Sequence, residues 1–354
     1  MDFNCNAAVL VPAPADAAAG GAPSLVYVDD AGPGYGRRLV RGRFVYVDLY
    51  GKRIRDPKEI ARIDALAIPP AYAEVWICPD PAGHIQATGR DARGRKQYRY
   101  HPHWQAERDA DKYAQLAEFG RALPRIRRRV QRALDAPGLG EEKVLGTLVR
   151  LLETTLVRVG NRAYARENRS FGLTTLRRRH ASLSGVRLRL RFRGKSGVEH
   201  DVAIADRRVA RVVRRCMEIP GQTLFHYLDE AGQPHGVDSA AVNAYLREAG
   251  QGDFTAKHYR TWAGSVMALE CLRKMPCAQG QAARRAVAEV VKAVARRLAN
   301  TPAVCRTCYI HPAIIEAYLR GELPAGSTPV APRGLCAAER RLLAFLDSLG
   351  LDGK

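Results

Sequence analysis

The hydrophobic pattern of this 354-residue chain changes near Trp104. Before it, short runs rich in β-branched and aromatic residues are bounded by Gly and Pro, which is typical of strands in a small β-rich domain. These runs are Leu25–Val28, Arg43–Asp48, Glu74–Cys78 and His84–Thr88, with a short helix predicted at Pro57–Ala65 between them. After Trp104, apolar residues recur at helical spacing. The pattern predicts helices at Glu141–Val157, Asp238–Glu248, Thr255–Met275 and Gln281–Ala299.

The predicted fold is therefore α+β, with two domains. Residues 24–106 are expected to form the β-rich domain, and residues 107–354 a larger, mostly α-helical one. Residues 1–23 are rich in Ala, Pro and Gly and are predicted to be a disordered tail.

One segment within the helical part alternates with period two. From Val186 to Arg193, every second residue is apolar and the four between them are arginines. A Gly194-Lys-Ser-Gly197 turn then leads into a second run, Val198–Ile204. This pattern predicts a β-hairpin with a basic face and with Lys195 at its tip.

The charge of the chain indicates a polyanionic partner. Lys and Arg number 57 against 36 Asp and Glu, a net charge of +21, and the pI is about 10.0. Such a surplus favours nucleic acid as the partner, although a basic surface that only keeps the protein soluble is the alternative. The sequence predicts no membrane span and no secretory signal, so the expected compartment is the cytoplasm.

The eight cysteines do not suggest a disulfide framework. Cys305 and Cys308 form a lone CxxC pair next to Tyr309. A zinc or redox site would need a second pair or a βαβ context, so both are interpreted as packing thiols. Neither a metal nor a cofactor is predicted.

A basic segment at His84–His101 is the clearest DNA-binding signal in the N-terminal half. Guanidinium groups pair with phosphates, while Gln and Tyr reach base edges or sugars. A solvated basic loop is the alternative. The candidate DNA-binding residues here are Arg90, Arg93, Arg95, Lys96, Gln97, Tyr98 and Tyr100.

Four residues further along the chain suit attack on a phosphodiester. Tyr309 is a plausible nucleophile if cations neutralise the phosphate, and Arg158 and Arg260 are candidates for this role. Lys195, at the predicted hairpin tip, is a candidate proton donor to the leaving oxygen. Taken singly, each is more often an ordinary surface or ion-pair residue.

Several segments, in a fixed order, resemble those of the type IB DNA topoisomerases of bacteria and poxviruses. The resemblance runs from about residue 25 to 320 and also includes the Gly89–Tyr98 loop. The segments are Val157–Asn161, Tyr164–Asn168, Gly172–His180, Arg193–Lys195, Lys257–Arg260 and Asn300–Tyr309.

The resemblance implies a role for each candidate. Tyr309 would form a 3′-phosphotyrosyl link, Arg158 and Arg260 would stabilise the transition state, and Lys195 would protonate the departing 5′ oxygen. Duplex DNA would be the partner of a monomer that closes two domains around it, in the bacterial nucleoid. The positions that would touch DNA include Gln97, Tyr98, Tyr100, Tyr164 and Lys257.

Asn300 departs from the poxvirus pattern, which has histidine before Thr-Pro. An amide still donates a hydrogen bond to a phosphate oxygen but adds no charge. Asn300 is therefore a candidate catalytic residue. It is also expected to be the left-handed cap that ends one helix, with Thr301 capping the next.

Two other protein classes fit parts of this pattern. A tyrosine recombinase uses the same chemistry, but usually has His-x-x-Arg where this chain has Lys257-x-x-Arg260, and its DNA-gripping domain is helical. A non-catalytic DNA-binding protein would have little need for Tyr309 and Lys195 together with both arginines.

Overall fold

A computed structural model of the chain describes residues 25–92, 94–276, 278–323 and 333–351, apart from the side chains of 105–112 and 351. The chain divides into two compact units, Met1–Lys112 and Tyr113–Lys354. The predicted N-terminal tail lies outside the described residues. A small β-rich unit followed by a larger, mostly helical one is the α+β organisation that the sequence predicts.

The first unit is a five-stranded antiparallel sheet with one helix. The strand order is β2-β1-β3-β4-β5, and a small core forms around Ile63, Ile77 and Ala87. The elements are β1 (Tyr35–Val40), β2 (Arg43–Val47), α1 (Pro57–Ala65), β3 (Ala73–Ile77), β4 (Ile85–Arg90) and β5 (Lys96–Tyr100).

The structure differs from the strand predictions at three places in this unit, one of which is the unpredicted strand β1. Leu25–Val28 is not a strand, since only Val26 forms an isolated bridge, to Gly83. The sequence predicts no strand at Lys96–Tyr100, whose first three residues belong to the predicted Gly89–Tyr98 loop, but this segment is the strand β5, which pairs with β4. Its side chains carry too much charge to give an apolar alternation, although the backbone is extended.

The second unit contains ten of the eleven α-helices that the described residues form, although α2 begins in the first unit. Four of them confirm the helices predicted from periodicity, with ends shifted by a few residues. The helices are α2 (Pro102–Asp135), α3 (Glu141–Thr155), α4 (Arg162–Asn168), α5 (Arg207–Glu218), α6 (Ser239–Gly250), α7 (Ala256–Arg273), α8 (Gly280–Leu298), α9 (Pro302–Cys308), α10 (Pro312–Arg320) and α11 (Ala337–Leu351).

A three-stranded antiparallel sheet interrupts these helices. It contains β6 (Ala181–Ser184), β7 (Arg187–Arg193) and β8 (Glu199–Ala205) in sequential order, and β9 (His226–Leu228) and β10 (Pro234–Gly236) form a separate hairpin. Strands β7 and β8 are the predicted hairpin, and β6 is an unpredicted third strand. Along β7, Leu188, Leu190 and Phe192 are buried and the arginines exposed, as predicted. Val186 is the exception, at 48% exposed.

The helices of the described part of the chain are all too short or too polar to cross a bilayer. Within the same residues, no group of three or more His, Cys, Asp or Glu side chains is placed to hold a metal ion.

Candidate active site

Tyr309 ends helix α9 and is buried, with 6% of its surface exposed. Its N–H donates to the Cys305 carbonyl at 3.0 Å. Helix α7 passes so close that a Cβ at Gly264 would lie 2.4 Å from the Tyr309 carbonyl oxygen. A side chain at Gly264 would therefore displace the tyrosine, so this close approach fixes where Tyr309 sits.

Two hydrogen-bonding contacts hold the chain on either side of Tyr309. The Tyr113 hydroxyl lies 2.9 Å from the carbonyl oxygens of both Thr307 and Ile310. The His311 N–H donates to Ser265 Oγ at 3.0 Å. The segment that carries Tyr309 is thus attached to α2 and α7, which limits the positions that its hydroxyl can reach.

Arg260 projects from the second turn of α7 and is 3% exposed. Its guanidinium donates to the carbonyl oxygens of Leu156 and Leu298, the latter at 2.7 Å. These carbonyls lie at the C-terminal ends of α3 and α8, where helix carbonyls lack intrahelical partners and carry partial negative charge. The guanidinium carbon lies 5.0 Å from the centroid of the Tyr309 ring. Arg260 therefore connects two helix ends to the tyrosine.

Arg158 follows the C-terminal cap of α3, Leu156, whose φ is 59°. Its Nη2 donates to Asn300 Oδ1 at 2.9 Å and its Nη1 to the Ala299 carbonyl at 3.4 Å, and Tyr309 lies within electrostatic reach of its guanidinium. Burial, and next the charge of Arg260, lower the pKa of Arg158, while Tyr309 opposes this shift. Within the described residues, neither Arg158 nor Arg260 forms an ion pair with a carboxylate. Two positive charges, Arg260 buried and Arg158 partly buried, thus lie beside the tyrosine.

Asn300 is not the left-handed cap that the sequence predicts. Ala299 takes that conformation, with φ 47° and ψ 60°, and Thr301 caps α9 as expected by accepting from the Val304 N–H. The capping position is one residue earlier, so the Asn300 side chain is available for Arg158. Because a guanidinium only donates, the amide oxygen faces Arg158 and Nδ2 points away. Nδ2 is buried without a partner among the described residues, as is Arg260 Nε.

Lys195 lies in the turn between β7 and β8. Ser196 and Gly197 have φ values of 61° and 80°, which reverse the chain directly after the lysine. The Lys195 side chain is half-buried. The structure thus brings Arg158, Arg260, Asn300 and Tyr309 together, and places Lys195 on the adjoining hairpin.

His200 of β8 is a residue that the sequence interpretation missed. Its ring stacks on Phe192 at 4.7 Å with an interplanar angle of 3°. Burial first, and then the charges of Arg158 and Arg260, lower the pKa of His200 to about 4. The imidazole is therefore neutral at neutral pH, and it lies within electrostatic reach of both arginines. The sequence feature that could have revealed it is a polar residue on the inward-facing side of the strand, which continues with Val202 and Ile204.

Comparisons with known proteins show the family of this chain. The family profile described as "Eukaryotic DNA topoisomerase I, catalytic core" matches residues 101–321, and "Bacterial DNA topoisomerase IB, N-terminal domain" matches residues 43–91. The DNA topoisomerase 1B of Acanthamoeba polyphaga mimivirus is 30% identical over 284 residues, covering 78% of this chain and 84% of that protein. The chain belongs to the type IB DNA topoisomerases.

More distant relatives have the same kind of name. The DNA topoisomerase I of monkeypox virus and the DNA topoisomerase 1B of vaccinia virus (strain Copenhagen) are each 21% identical over 251 residues. Each alignment covers 69% of this chain and 75% of the relative. Of the three classes that the sequence left open, the comparisons support the topoisomerase, an enzyme whose substrate is DNA.

In the first unit of this topoisomerase, the candidate DNA-binding cations already have acidic partners. Arg90 pairs with Glu74 at 2.7 Å, Arg95 with Asp91 at 2.6 Å, and Lys96 with Asp30 at 2.5 Å. Ion pairs between partly exposed groups are weak. A phosphate can therefore replace or share these partners at small cost. The sequence, however, does not indicate that these basic side chains already form ion pairs.

The polar and aromatic candidates are arranged along β5. Gln97 Nε2 donates to Asp91 Oδ2 at 3.0 Å, and the rings of Tyr98 and Tyr100 stack at 5.9 Å. Arg93 lies outside the described residues. In the second unit, Tyr164 is half-buried on α4 and Lys257 is exposed in the first turn of α7.

Cys305 of the CxxC pair lies beneath the site. It is fully buried, and burial raises the pKa of its thiol to about 11, although Arg260 and Arg158 act in the opposite direction. The thiol is therefore protonated at neutral pH and packs in the core beside the arginines.

Proposed function

We propose that this topoisomerase cuts one strand of duplex DNA with the hydroxyl of Tyr309, which becomes joined to the 3′ phosphate. The observation that carries the assignment is the placement of one buried tyrosine beside two arginines, Arg260 buried and Arg158 partly buried. Tyr309 lies within electrostatic reach of the Arg158 guanidinium, and Arg260 lies over its ring. Guanidinium groups suit phosphate oxygens because they donate two parallel hydrogen bonds.

The electrostatics of the site favour an anion between these residues. Two neighbouring cations without a carboxylate raise each other's energy, and a buried donor without a partner costs about 1–3 kcal/mol. A phosphodiester would offset both costs, since its oxygens accept from Arg260 Nε and Asn300 Nδ2, which lack partners within the described chain. Asn300 would thus contact one nonbridging oxygen while its own oxygen orients Arg158.

The reaction then needs no external energy source. The Tyr309 hydroxyl gives up its proton to solvent as its oxygen bonds to phosphorus. Arg158 and Arg260 stabilise the charge on the nonbridging oxygens, and the bond to the 5′ oxygen breaks. Lys195 gives its proton to that oxygen, which leaves as a hydroxyl. The phosphodiester bond of DNA is replaced by a second phosphodiester, the phosphotyrosyl bond. The 5′ hydroxyl can therefore reseal the strand by the reverse steps.

We assign duplex binding to side chains of both units. Gln97, Tyr98 and Tyr100, with the basic residues beside them, would contact DNA from the first unit. Tyr164 and Lys257 would do so from the second. The enzyme would act as a monomer that closes around the duplex, in the nucleoid of a bacterial cytoplasm.

Relaxation of supercoiled plasmid in EDTA and without ATP tests the proposed reaction. We expect positive and negative supercoils to relax, with loss of activity as salt rises because phosphate contacts are screened. Exchange of strands between two specific sites would indicate a recombinase instead. Binding without any relaxation would contradict the catalytic assignment.

The role of Lys195 has its own substrate test. Lys195→Ala is expected to slow cleavage by about 10²–10⁴-fold, the usual contribution of a general acid. A substrate with a 5′-bridging sulfur should restore the rate, because a thiolate leaves without a proton. Single-turnover cleavage of both substrates measures this. Lys292→Ala, at an exposed ion pair with Glu289, is the matched control and should cleave both normally. Equal slowing on both substrates would mean that Lys195 binds DNA rather than donating a proton.

A further inference from the structure

We propose that His200 is a positioning residue that holds the Lys195 turn in place for proton transfer. The inference rests on the proposed function of Lys195 as general acid. His200 itself would touch neither the tyrosine nor the leaving oxygen. It would act through Gly194, the residue directly before the lysine.

The backbone of Gly194 shows why a glycine stands before the lysine. Its φ of −96° and ψ of −166° are extended values that any residue adopts, so no conformational need for glycine exists. A Cβ at this position would instead lie 2.5 Å from His200 Nε2 and 2.6 Å from Cδ2. The imidazole therefore occupies the space of a side chain at residue 194 and lies directly against the backbone there.

The ring is held on its other side by the same hairpin. His200 is the register partner of Phe192 and stacks on its ring, so the imidazole lies between Phe192 and Gly194. The Gly194 N–H donates to the Val198 carbonyl at 2.8 Å, and the Phe171 N–H donates to the Arg193 carbonyl at 2.8 Å. With the ring in place, the turn has little room to move toward the hairpin. Without it, a cavity opens directly beside the lysine.

The charges around His200 explain why a neutral ring suits this role. Arg158 and Arg260 are the charged groups that face it from other elements. Its neighbours Glu199 and Asp201 lie on the exposed face of β8, where Asp201 pairs with Arg189 and Arg191. A cation at this position would add a third positive charge beside the arginines. The neutral imidazole fills the space and leaves the charge of the pocket unchanged.

The decisive variant is His200→Ala, measured on the two substrates used for Lys195. A shift of a catalytic group by about 1 Å can cost about 10²-fold, so we expect slower cleavage of the ordinary substrate by about ten- to a hundredfold. Cleavage of the 5′-bridging sulfur substrate should stay near the wild-type rate, because that step needs no proton from Lys195. Val202→Ala, two residues along the same strand and face, is the matched control and should show no such selectivity.

Gly194→Ala changes the other partner in the contact between residue 194 and the His200 ring. Its added methyl group collides with the ring, so we expect the same selective slowing. In Gly194→Ala/His200→Ala the collision is gone, so the two effects should not add, and cleavage should be no slower than in His200→Ala alone. This lack of additivity, measured with thermal melts to confirm folding, is a result that independent damage to the fold would not give, since independent effects would multiply.

The outcomes separate the two proposals. If the sulfur substrate does not rescue Lys195→Ala, the general-acid assignment fails and the role of His200 fails with it. If it rescues Lys195→Ala while His200→Ala is normal on both substrates, or equally slow on both, the positioning role alone is overturned. Should His200→Ala not fold, the substrate selectivity of Gly194→Ala decides in the same way.

Discussion

Tyr309→Phe is expected to abolish plasmid relaxation while duplex binding remains. The substitution removes only the hydroxyl. The phenyl ring keeps the buried position of the tyrosine ring and still lies beneath Arg260. Since the fold and the cation–π contact are kept, loss of activity would report the loss of the nucleophile.

Relaxation and covalent complex formation, measured beside filter binding, check this expectation. Tyr318→Phe is the matched control. Tyr318 is also buried, in α10, and its hydroxyl donates to the Pro276 carbonyl at 3.2 Å. Loss of the Tyr318 hydroxyl should lower the stability of the fold somewhat but leave DNA cleavage unchanged. Relaxation that persists in Tyr309→Phe would remove this residue from the reaction.

Arg260→Ala is expected to slow cleavage by about 10²–10³-fold, the scale for losing one preorganised donor to an oxyanion. Arg158→Ala should act similarly, since both guanidiniums face the same tyrosine. Arg260→Lys should recover little, because an ammonium keeps the charge but not the paired N–H geometry. Single-turnover cleavage under saturating enzyme separates this loss from weaker DNA binding.

The control for the arginines is Arg297→Ala. Arg297 donates to the carbonyl oxygens of Thr155 and Thr154, at the same end of α3 whose Leu156 carbonyl accepts from Arg260. Both variants lose hydrogen bonds to this helix end, so thermal melts should show comparable, modest destabilisation. Only Arg260→Ala should lose the chemical step. Equal cleavage rates in the two variants would place Arg260 among the structural residues.

Helix ends supply the framework of the site. Leu156 caps α3, Ala299 caps α8, and Tyr309 ends α9, so the functional residues follow or terminate three helices. The carbonyls at two of these ends accept from Arg260. The arginine is thereby oriented by backbone groups before DNA arrives. Such preorganisation reduces the rearrangement needed when charge develops on the phosphate.

Periodicity in the sequence was enough to predict much of this fold. The β7–β8 hairpin follows from strict alternation, and α8 follows from valines that repeat at helical spacing. Strand β5 escaped prediction because its register is set by backbone pairing with β4, while its side chains are charged or polar. Ion pairs such as Lys96 with Asp30 join distant positions, which local patterns do not reveal.

The candidate site was predictable in its residue types but not in its contacts. Motif order led to Tyr309 and the two arginines. The cap at Ala299, one residue before Asn300, depends on where α8 stops, and the sequence places helix ends only to within a few residues. His200 belongs to the site through the fold of the hairpin, since it contacts Gly194, six positions earlier in the chain.

Mapping the covalent DNA–protein link tests the central claim most directly. A duplex whose cleaved strand releases a short 5′-hydroxyl fragment would trap the intermediate, and mass spectrometry of the digested adduct would locate the bond. The expected tryptic peptide, Thr307–Arg320, contains Tyr309 and Tyr318, which fragment ions distinguish. We predict a 3′-phosphate on Tyr309. A link to another residue, or to the 5′ end of the cut strand, would contradict the account.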